Sequence, residues 1–134
     1  MDKKRFTEAF KFRQSEILVI DDDPTIRELY QEMFREADLP ADVVGTVREG
    51  LDALGAEPYR LVIVDLKMPG WDGLTAIKAV SQGRPGLPML VITGVGDPEL
   101  HRRVKAHESV VGLLSKPFNP NDVVTRVREL LSSP

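Results

Sequence analysis

The sequence of 134 residues contains no cysteine, which excludes disulfide bonds and thiolate metal sites. Long apolar runs are also missing. The longest runs have four residues, as in Leu61 to Val64, far short of the roughly 20 residues that a membrane-spanning helix needs. The basic residues near Met1 are not followed by the apolar core of a signal peptide. We therefore expect an unexported, cytoplasmic protein.

An excess of charge of one sign is lacking as well. The chain has 18 Lys and Arg against 21 Asp and Glu, a formal net charge of -3. This balance does not indicate a surface that binds nucleic acid, so we expect neither nucleic acid nor membrane among the direct partners. Apolar residues make up 42% of the sequence and the length fits one domain, as in an ordinary globular protein.

Two kinds of segment alternate along the chain. Short apolar runs rich in β-branched residues occur at Ile17–Ile20, Val43–Val44, Leu61–Val64, Met89–Ile92 and Val110–Leu114. Their continuous apolar character is typical of parallel strands that are buried on both faces. Helical spacing follows in two clear stripes: Ile26, Leu29, Tyr30, Met33 and Phe34, then Val123, Val124, Val127, Leu130 and Leu131.

Helix starts are marked by a capping residue before a proline, at Asp23-Pro24, Asp97-Pro98 and Asn119-Pro120. The chain thus reads as five rounds of strand then helix. This order predicts an α/β fold with one five-stranded parallel sheet, doubly wound by right-handed crossovers. No internal linker divides it, so we expect a single domain.

Residues 1–15 stand outside this pattern and form an N-terminal extension. Phe6, Phe10 and Phe12 could face the domain from a short amphipathic helix, or the segment could be a disordered, frayed terminus. Both readings stay open. The predicted domain covers residues 16–131, and residues 132–134 form a tail.

Polar residues follow the predicted strands at one edge of the sheet, where the carboxyl ends of parallel strands form the functional crevice. They are Asp21, Asp22 and Asp23 after the first strand, Asp65 at the end of the third, Thr93-Gly94 at the end of the fourth, and Ser115-Lys116-Pro117 at the end of the fifth. Asp23, directly before a proline, reads as a helix cap. The remaining carboxylates would repel one another unless a cation lies between them.

The chemistry of this set favours Mg²⁺ and phosphoryl transfer. Mg²⁺ prefers oxygen ligands, usually one or two carboxylates with several waters. An aspartate such as Asp65 beside the metal can act as a carboxylate nucleophile toward phosphorus. The Lys116 ammonium and the Thr93 hydroxyl would then stabilise charge on the phosphoryl oxygens.

Four motifs resemble those of bacterial response-regulator receiver domains. They are Ile17-Leu18-Val19-Ile20-Asp21-Asp22-Asp23-Pro24, Asp65-Leu66-Lys67-Met68-Pro69-Gly70-Trp71-Asp72-Gly73, Val91-Ile92-Thr93-Gly94 and Ser115-Lys116-Pro117-Phe118. The resemblance extends over about residues 16–131 with the motifs in order, and it implies a flavodoxin-like fold. Four such motifs at strand ends are far more specific than any one of them.

The resemblance also implies a role for each metal ligand. Asp65 would be the phosphoacceptor and a ligand of Mg²⁺. Asp22 would bind the metal directly, Asp21 would hold its waters, and the backbone carbonyl of Lys67 would complete the protein ligands. Trp71 would lie on the rim of the site, where its fluorescence would respond to metal.

The other site residues follow from the same resemblance. Thr93 would bond a phosphoryl oxygen and move on activation, Lys116 would pair with the phosphoryl group, and a cis peptide would join Lys116 to Pro117. The phosphodonor would be a sensor histidine kinase or a phosphotransfer protein. The output would be a downstream protein target or a fused output domain, and a homodimer remains open.

One position departs from the family. Many receivers carry an aromatic residue three positions before the signature lysine, and Leu113 occupies that position here. This departure keeps a second reading open, a pseudo-receiver that serves only as an interaction module. A third reading, a metal-dependent aspartyl phosphatase, requires an acid two residues after the nucleophile, where this chain has Lys67. We expect a signalling switch, not an enzyme, whose only catalysis is its own phosphotransfer and dephosphorylation.

Overall fold

A computed structural model describes residues 15–65, 73–94 and 98–132 of the chain. The strands are β1 (Ile17–Ile20), β2 (Ala41–Val44), β3 (Leu61–Asp65), β4 (Met89–Thr93) and β5 (Val110–Ser115). The helices are α1 (Pro24–Glu36), α2 (Val47–Ala56), α3 (Gly73–Gly83), α4 (Pro98–Lys105) and α5 (Pro120–Ser132). The predicted alternation of five strands and five helices is confirmed.

The five strands form one parallel sheet in the order β2-β1-β3-β4-β5. The order reverses between β1 and β3, so helices must cover both faces. β1, β3 and β4 lie inside the sheet and are buried at every residue, as their unbroken apolar runs predict. The predicted doubly wound, flavodoxin-like arrangement is therefore confirmed.

Two hydrophobic layers hold the sheet. One layer joins the sheet to α1 and α5 through residues such as Phe34 and Val127. The other joins it to α2, α3 and α4 through residues such as Leu54, Ile77 and Val104. Within the described residues, no helix is both long and apolar enough to cross a membrane.

The predicted N-terminal caps of the first and last helices, α1 and α5, are confirmed. The Asp23 carboxylate accepts hydrogen bonds from the amides of Thr25 and Ile26, at 2.9 and 3.4 Å. The Asn119 side chain accepts one from Asn121 at 2.9 Å. Asp97 lies outside the described residues, so its capping role stays a prediction.

β2 and β5 differ most from their predicted form, whereas β3 and β4 extend by one residue beyond their predicted apolar runs. β2 begins at Ala41, two residues before the predicted start, and includes the polar Asp42 because a half-buried edge strand admits a charged side chain. β5 carries a bulge: Val110 pairs with Met89 and Gly112 with Leu90, which leaves Val111 as the extra residue. Val111 is 37% exposed, so β5 is not buried on both faces.

Candidate functional site

The register of the sheet brings the predicted acids together. Ile20 of β1 pairs with Val64 of β3, so the residues that follow them, Asp21 and Asp65, are neighbours at the carboxyl edge. Asp22 lies one residue further along the same loop. Carboxylate oxygens of all three residues lie within 4.8 Å of one another. Asp21 and Asp65 are only 1% and 4% exposed, whereas Asp22 is half-buried.

Lys116 reaches this acidic cluster from the far side of β4. Its ammonium nitrogen lies 3.0 Å from the Asp65 Oδ2 and 3.3 Å from the Asp21 Oδ2. Burial alone would lower the pKa of Lys116, but the hydrogen bond to Asp65 and the attraction of both carboxylates outweigh it and raise that pKa. Lys116 therefore stays charged at the centre of the site.

The loop that carries Lys116 is held against α1 by aromatic packing. The ring of Phe118 stacks on Tyr30 with centroids 5.5 Å apart, and Tyr30 stacks in turn on Phe34 at 6.2 Å. The expected cis peptide between Lys116 and Pro117 is confirmed. This packing anchors the segment after Lys116 to α1.

Opposing effects act on the pKa of Asp21. Burial raises the pKa of its carboxyl group, a hydrogen bond from the Asp23 amide at 3.0 Å lowers it, and repulsion from Asp65 raises it again. The attraction of Lys116 does not cancel these effects, and the pKa of Asp21 lies above its ordinary value. A carboxylate in this position favours a nearby cation.

Thr93 lies at the end of β4 and is fully buried. Its carbonyl accepts a hydrogen bond of 2.7 Å from the Lys116 amide, so the two residues are joined through the backbone. Gly94, which follows Thr93, is exposed at the mouth of the site. A Cβ added at Gly94 would lie 3.7 Å from the Lys116 Cβ, an ordinary contact.

Arg27 is a residue near the site that the sequence pattern did not single out. Its guanidinium donates a hydrogen bond of 3.1 Å to the Asp21 carbonyl, and it passes over Gly45, where an added Cβ would lie 2.9 Å from the Arg27 Nη1. The sequence contains only a weak indication of this contact, a basic residue in the first turn of α1 and a glycine after β2. Arg27 thus supports the loop that carries Asp21 and Asp22.

Some predicted residues cannot be compared with the structure. Lys67 and Trp71 lie outside the described residues, so the carbonyl ligand and the rim position stay predictions. Leu113 is half-buried and packs against the layer that contains α2, α3 and α4. The structure therefore places an aliphatic side chain where many receivers carry an aromatic ring.

The donor set fits a small divalent cation. Three carboxylates face one ammonium group, which leaves an excess of two negative charges in a largely buried space. Among the described residues, the side-chain atoms that could bind a metal here are carboxylate oxygens, which are ligands that Mg²⁺ prefers. The charge and the chemistry of the cluster thus agree with the expected metal.

A comparison with protein families decides the classification. The family model described as "Response regulator receiver domain" matches residues 17–128. The chain belongs to the response regulator receiver family. Receivers act as signalling switches, and Asp21, Asp22, Asp65, Thr93 and Lys116 of this receiver all lie within the matched segment.

Curated relatives are longer than this receiver. The transcriptional regulatory protein AruR of Pseudomonas aeruginosa is 32% identical over 120 residues, which cover 86% of this chain and 48% of AruR. The DNA-binding transcriptional regulator NtrC of Escherichia coli K12 is 31% identical over 117 residues, 87% of this chain and 24% of NtrC. The chain thus spans about half of one relative and a quarter of the other.

Solved structures agree with this receiver in fold. The chemotaxis protein CheY4 of Vibrio cholerae is 26% identical with a TM-score of 0.78, covering 88% of this chain and 99% of that chain. The receiver domain of nitrogen regulatory protein C is 28% identical with a TM-score of 0.77, covering 88% and 94%. A receiver of Methanospirillum hungatei shares the fold at 24% identity and a TM-score of 0.80, covering 89% and 94%.

Proposed function

We propose that this receiver accepts a phosphoryl group on Asp65 and that phosphorylation switches its contacts with other proteins. One observation carries the proposal: the Lys116 ammonium lies 3.0 Å from Asp65 and 3.3 Å from Asp21, beside the half-buried Asp22. A nucleophilic carboxylate, two supporting carboxylates and a fixed cation are the groups that aspartyl phosphorylation requires.

The proposed metal is Mg²⁺, held by Asp21, Asp22 and Asp65 together with the backbone carbonyl of Lys67. When bound, Mg²⁺ supplies positive charge to the oxygen atoms of the transferred group. Asp22 is the most exposed of the three acids, so its carboxylate is the one that solvent ions meet first. The buried Asp21 would act through water molecules.

The chain's own residues would then carry the transfer. A carboxylate oxygen of Asp65 attacks the phosphorus of a phosphohistidine. The P–N bond to the donor breaks, and its electron pair returns to the donor's imidazole ring. The Lys116 ammonium follows the developing charge from the carboxylate to a phosphoryl oxygen, and the Thr93 hydroxyl donates a hydrogen bond to another.

The proposed partners are a sensor histidine kinase or phosphotransfer protein as the donor, and a downstream protein or a fused output domain as the target. The chain would act as a switch between two surface states, not as an enzyme with a turnover substrate. A cytoplasmic location and a homodimer stay predictions. The DNA-binding and transcriptional roles named for NtrC and AruR would require segments beyond the matched domain.

The deciding measurement is intact mass after incubation with acetyl phosphate and Mg²⁺. We expect one phosphoryl adduct, lost with EDTA and in Asp65→Asn, and retained in Asp52→Asn. Asp52 is an exposed acid on α2, so that control makes the same charge change away from the site.

The same experiment separates the pseudo-receiver. A parent chain that shows no phosphoryl adduct by mass can still bind beryllofluoride, with that binding lost in Asp65→Asn. This result would mean that the phosphoryl adduct forms but is too short-lived to trap. Absence of both responses would overturn the proposal and leave a pure interaction module.

A further inference from the structure

A groove crosses the amino-terminal edge of the sheet, at the opposite end from the acidic site, and is called the basal groove below. It has a volume of about 550 Å³. Its apolar walls come from β3, the connection between α3 and β4, β5, and the end of α5. The floor is formed by the almost fully buried Tyr59, Leu61 and Leu87. The accessible apolar surface comes from Pro88, Val111 and Leu131. Val111, the bulged residue of β5, is the most exposed of these apolar side chains.

Two arginines border the basal groove, and both are engaged by oxygen atoms of the domain. Arg84 donates hydrogen bonds to the carbonyls of Leu54 and Glu57, at 2.8 and 2.7 Å. Arg60 donates to the Leu131 carbonyl and pairs with Glu16 at 3.3 Å. The basal groove therefore offers apolar contact more than free positive charge, which favours apolar side chains over an anion as its occupant.

The described chain begins beside the basal groove. Glu16 is joined by Arg60 to the carbonyl of Leu131, a groove residue. Ser15 donates a hydrogen bond of 3.0 Å to Asp42, and the hydroxyl of Tyr59, another groove residue, donates to the same carboxylate at 2.5 Å. Ser15 and Glu16, where residues 1–14 join the described chain, are therefore each linked to a groove residue through one side chain, Asp42 or Arg60.

The composition of residues 1–14 matches an apolar groove. Three of the five phenylalanines of the protein, Phe6, Phe10 and Phe12, lie in this segment. An extended chain covers ~3.3 Å per residue, so Phe12 reaches roughly 10 Å from Ser15 and Phe10 roughly 17 Å. β5 lies three strands from β1, or roughly 14 Å at the usual ~4.8 Å spacing. Phe6 and Phe10 can therefore reach the β5 end of the groove, and Phe12 can reach the part nearer β1.

We propose that residues 1–14 fold back onto their own domain and place phenylalanine side chains in the basal groove. An aromatic ring can cover the accessible side chains of Val111 and Leu131, and it loses little conformational entropy because it has few rotatable bonds. The basic side chains of the segment, such as Lys11 and Arg13, would remain in water. The contact lies at the edge remote from Asp65, so this proposal is independent of the phosphoryl chemistry.

Limited trypsin digestion of the full chain tests the proposal, since Arg5, Lys11 and Arg13 are cleavage sites within the segment. We expect Val111→Glu to speed cleavage after Lys11 and Arg13 about tenfold, equivalent to ~1.4 kcal/mol of docking. Val111 is 37% exposed, so a glutamate there leaves the fold intact while placing a charge in the groove. Gln31→Glu, on the exposed side of α1, adds the same charge elsewhere and should cleave like the parent chain.

Methyl NMR gives a second measurement that does not depend on protease. Replacing Phe6, Phe10 and Phe12 together by leucine keeps the segment apolar but removes its ring currents. We expect the methyl resonances of Leu87 and Leu131 to shift, while those of Ile26 and Leu29, at the other end of the molecule, stay in place. Parent-like cleavage in Val111→Glu together with unchanged groove methyls would overturn the proposal. Cleavage that accelerates on dilution would also overturn it, by assigning the groove to a second copy.

Discussion

The Lys116 ammonium and the Asp65 carboxylate lie 3.0 Å apart, although β4 lies between β3, which ends at Asp65, and β5, which precedes Lys116. The same ammonium lies 3.3 Å from Asp21, so one cation joins two buried carboxylates across the carboxyl edge. The lysine side chain is 24% exposed and its partners are almost fully buried. This arrangement gives Lys116 a structural role in the site, beside the chemical role proposed for it above.

Replacing Lys116 by methionine should test both roles, because methionine keeps the aliphatic stem and removes the charge. In EDTA we expect a loss of ~1–3 kcal/mol in the free energy of unfolding, below the value for a fully buried pair because water reaches the lysine. The variant should fold but lose the phosphorylation-dependent change in its NMR spectrum. Arg102→Met, which breaks an exposed pair with Glu99, should change stability by less than ~1 kcal/mol. Parent-like switching in Lys116→Met would remove the lysine from the mechanism.

Asp21 gives a prediction about pH. Its pKa is raised in the folded state by burial and by Asp65, so the folded state binds this proton more tightly than the unfolded state. The contribution to stability is complete below the ordinary pKa of 3.8 and is lost as pH rises through the raised pKa. Asp21→Asn should therefore be more stable than the parent chain at neutral pH in EDTA.

The stability difference between Asp21→Asn and the parent chain should grow as pH rises above 3.8 and then become constant. Urea unfolding at a series of pH values measures it, with the exposed Asp52→Asn as the control. A difference that is constant over the whole range would show that the substitution acts through packing and not through charge.

Trp71 should report metal binding, since it is the single tryptophan and lies six residues after Asp65 in the sequence. We expect millimolar Mg²⁺ to quench or shift its fluorescence, and Asp22→Asn to abolish the response because it removes the most accessible carboxylate. Asp52→Asn should respond like the parent chain. An unresponsive parent chain would count against the proposed metal site.

Two glycines of α2 give a matched test of packing. A Cβ added at Gly50 would lie 2.4 Å from the Ile20 Cδ1, so Gly50→Ala should lose ~1–3 kcal/mol through overpacking. A Cβ at Gly55 meets no atom within 4 Å, so Gly55→Ala should gain ~0.5–1 kcal/mol from helix propensity. Thermal or urea unfolding of both variants compares them. Changes of the same sign would contradict the close packing of α2 on Ile20.

Much of this fold is predictable from the sequence because burial and capping leave local signals. The interior strands show unbroken apolar runs, and the caps at Asp23 and Asn119 follow from a polar residue before proline. The start of α2 was less visible. Thr46 caps it by accepting from the Glu49 amide at 3.0 Å, and its hydroxyl donates to the Glu49 carboxylate, a capping box without proline.

The rest depends on contacts between distant residues, which leave no local pattern. Strand order predicts that Asp21, Asp65 and Lys116 converge. It does not predict that the lysine contacts both acids. The bulge at Val111 depends on how β5 meets β4, because the sequence Val110–Leu114 alone reads as an ordinary buried strand. The hydrogen bond from Arg27 to Asp21 likewise depends on the space above Gly45.

The backbone amide of Lys116 bonds to the Thr93 carbonyl, while its side chain meets the acids. Any amino acid with an amide hydrogen can make the first contact, whereas only a long cationic side chain can make the second. The backbone contact of residue 116 and its charge contact with the acids can therefore be changed separately by mutation. A substitution at position 116 would thus keep the backbone contact at the end of β4 while removing the cation, and it would separate the fold of the domain from the proposed switch.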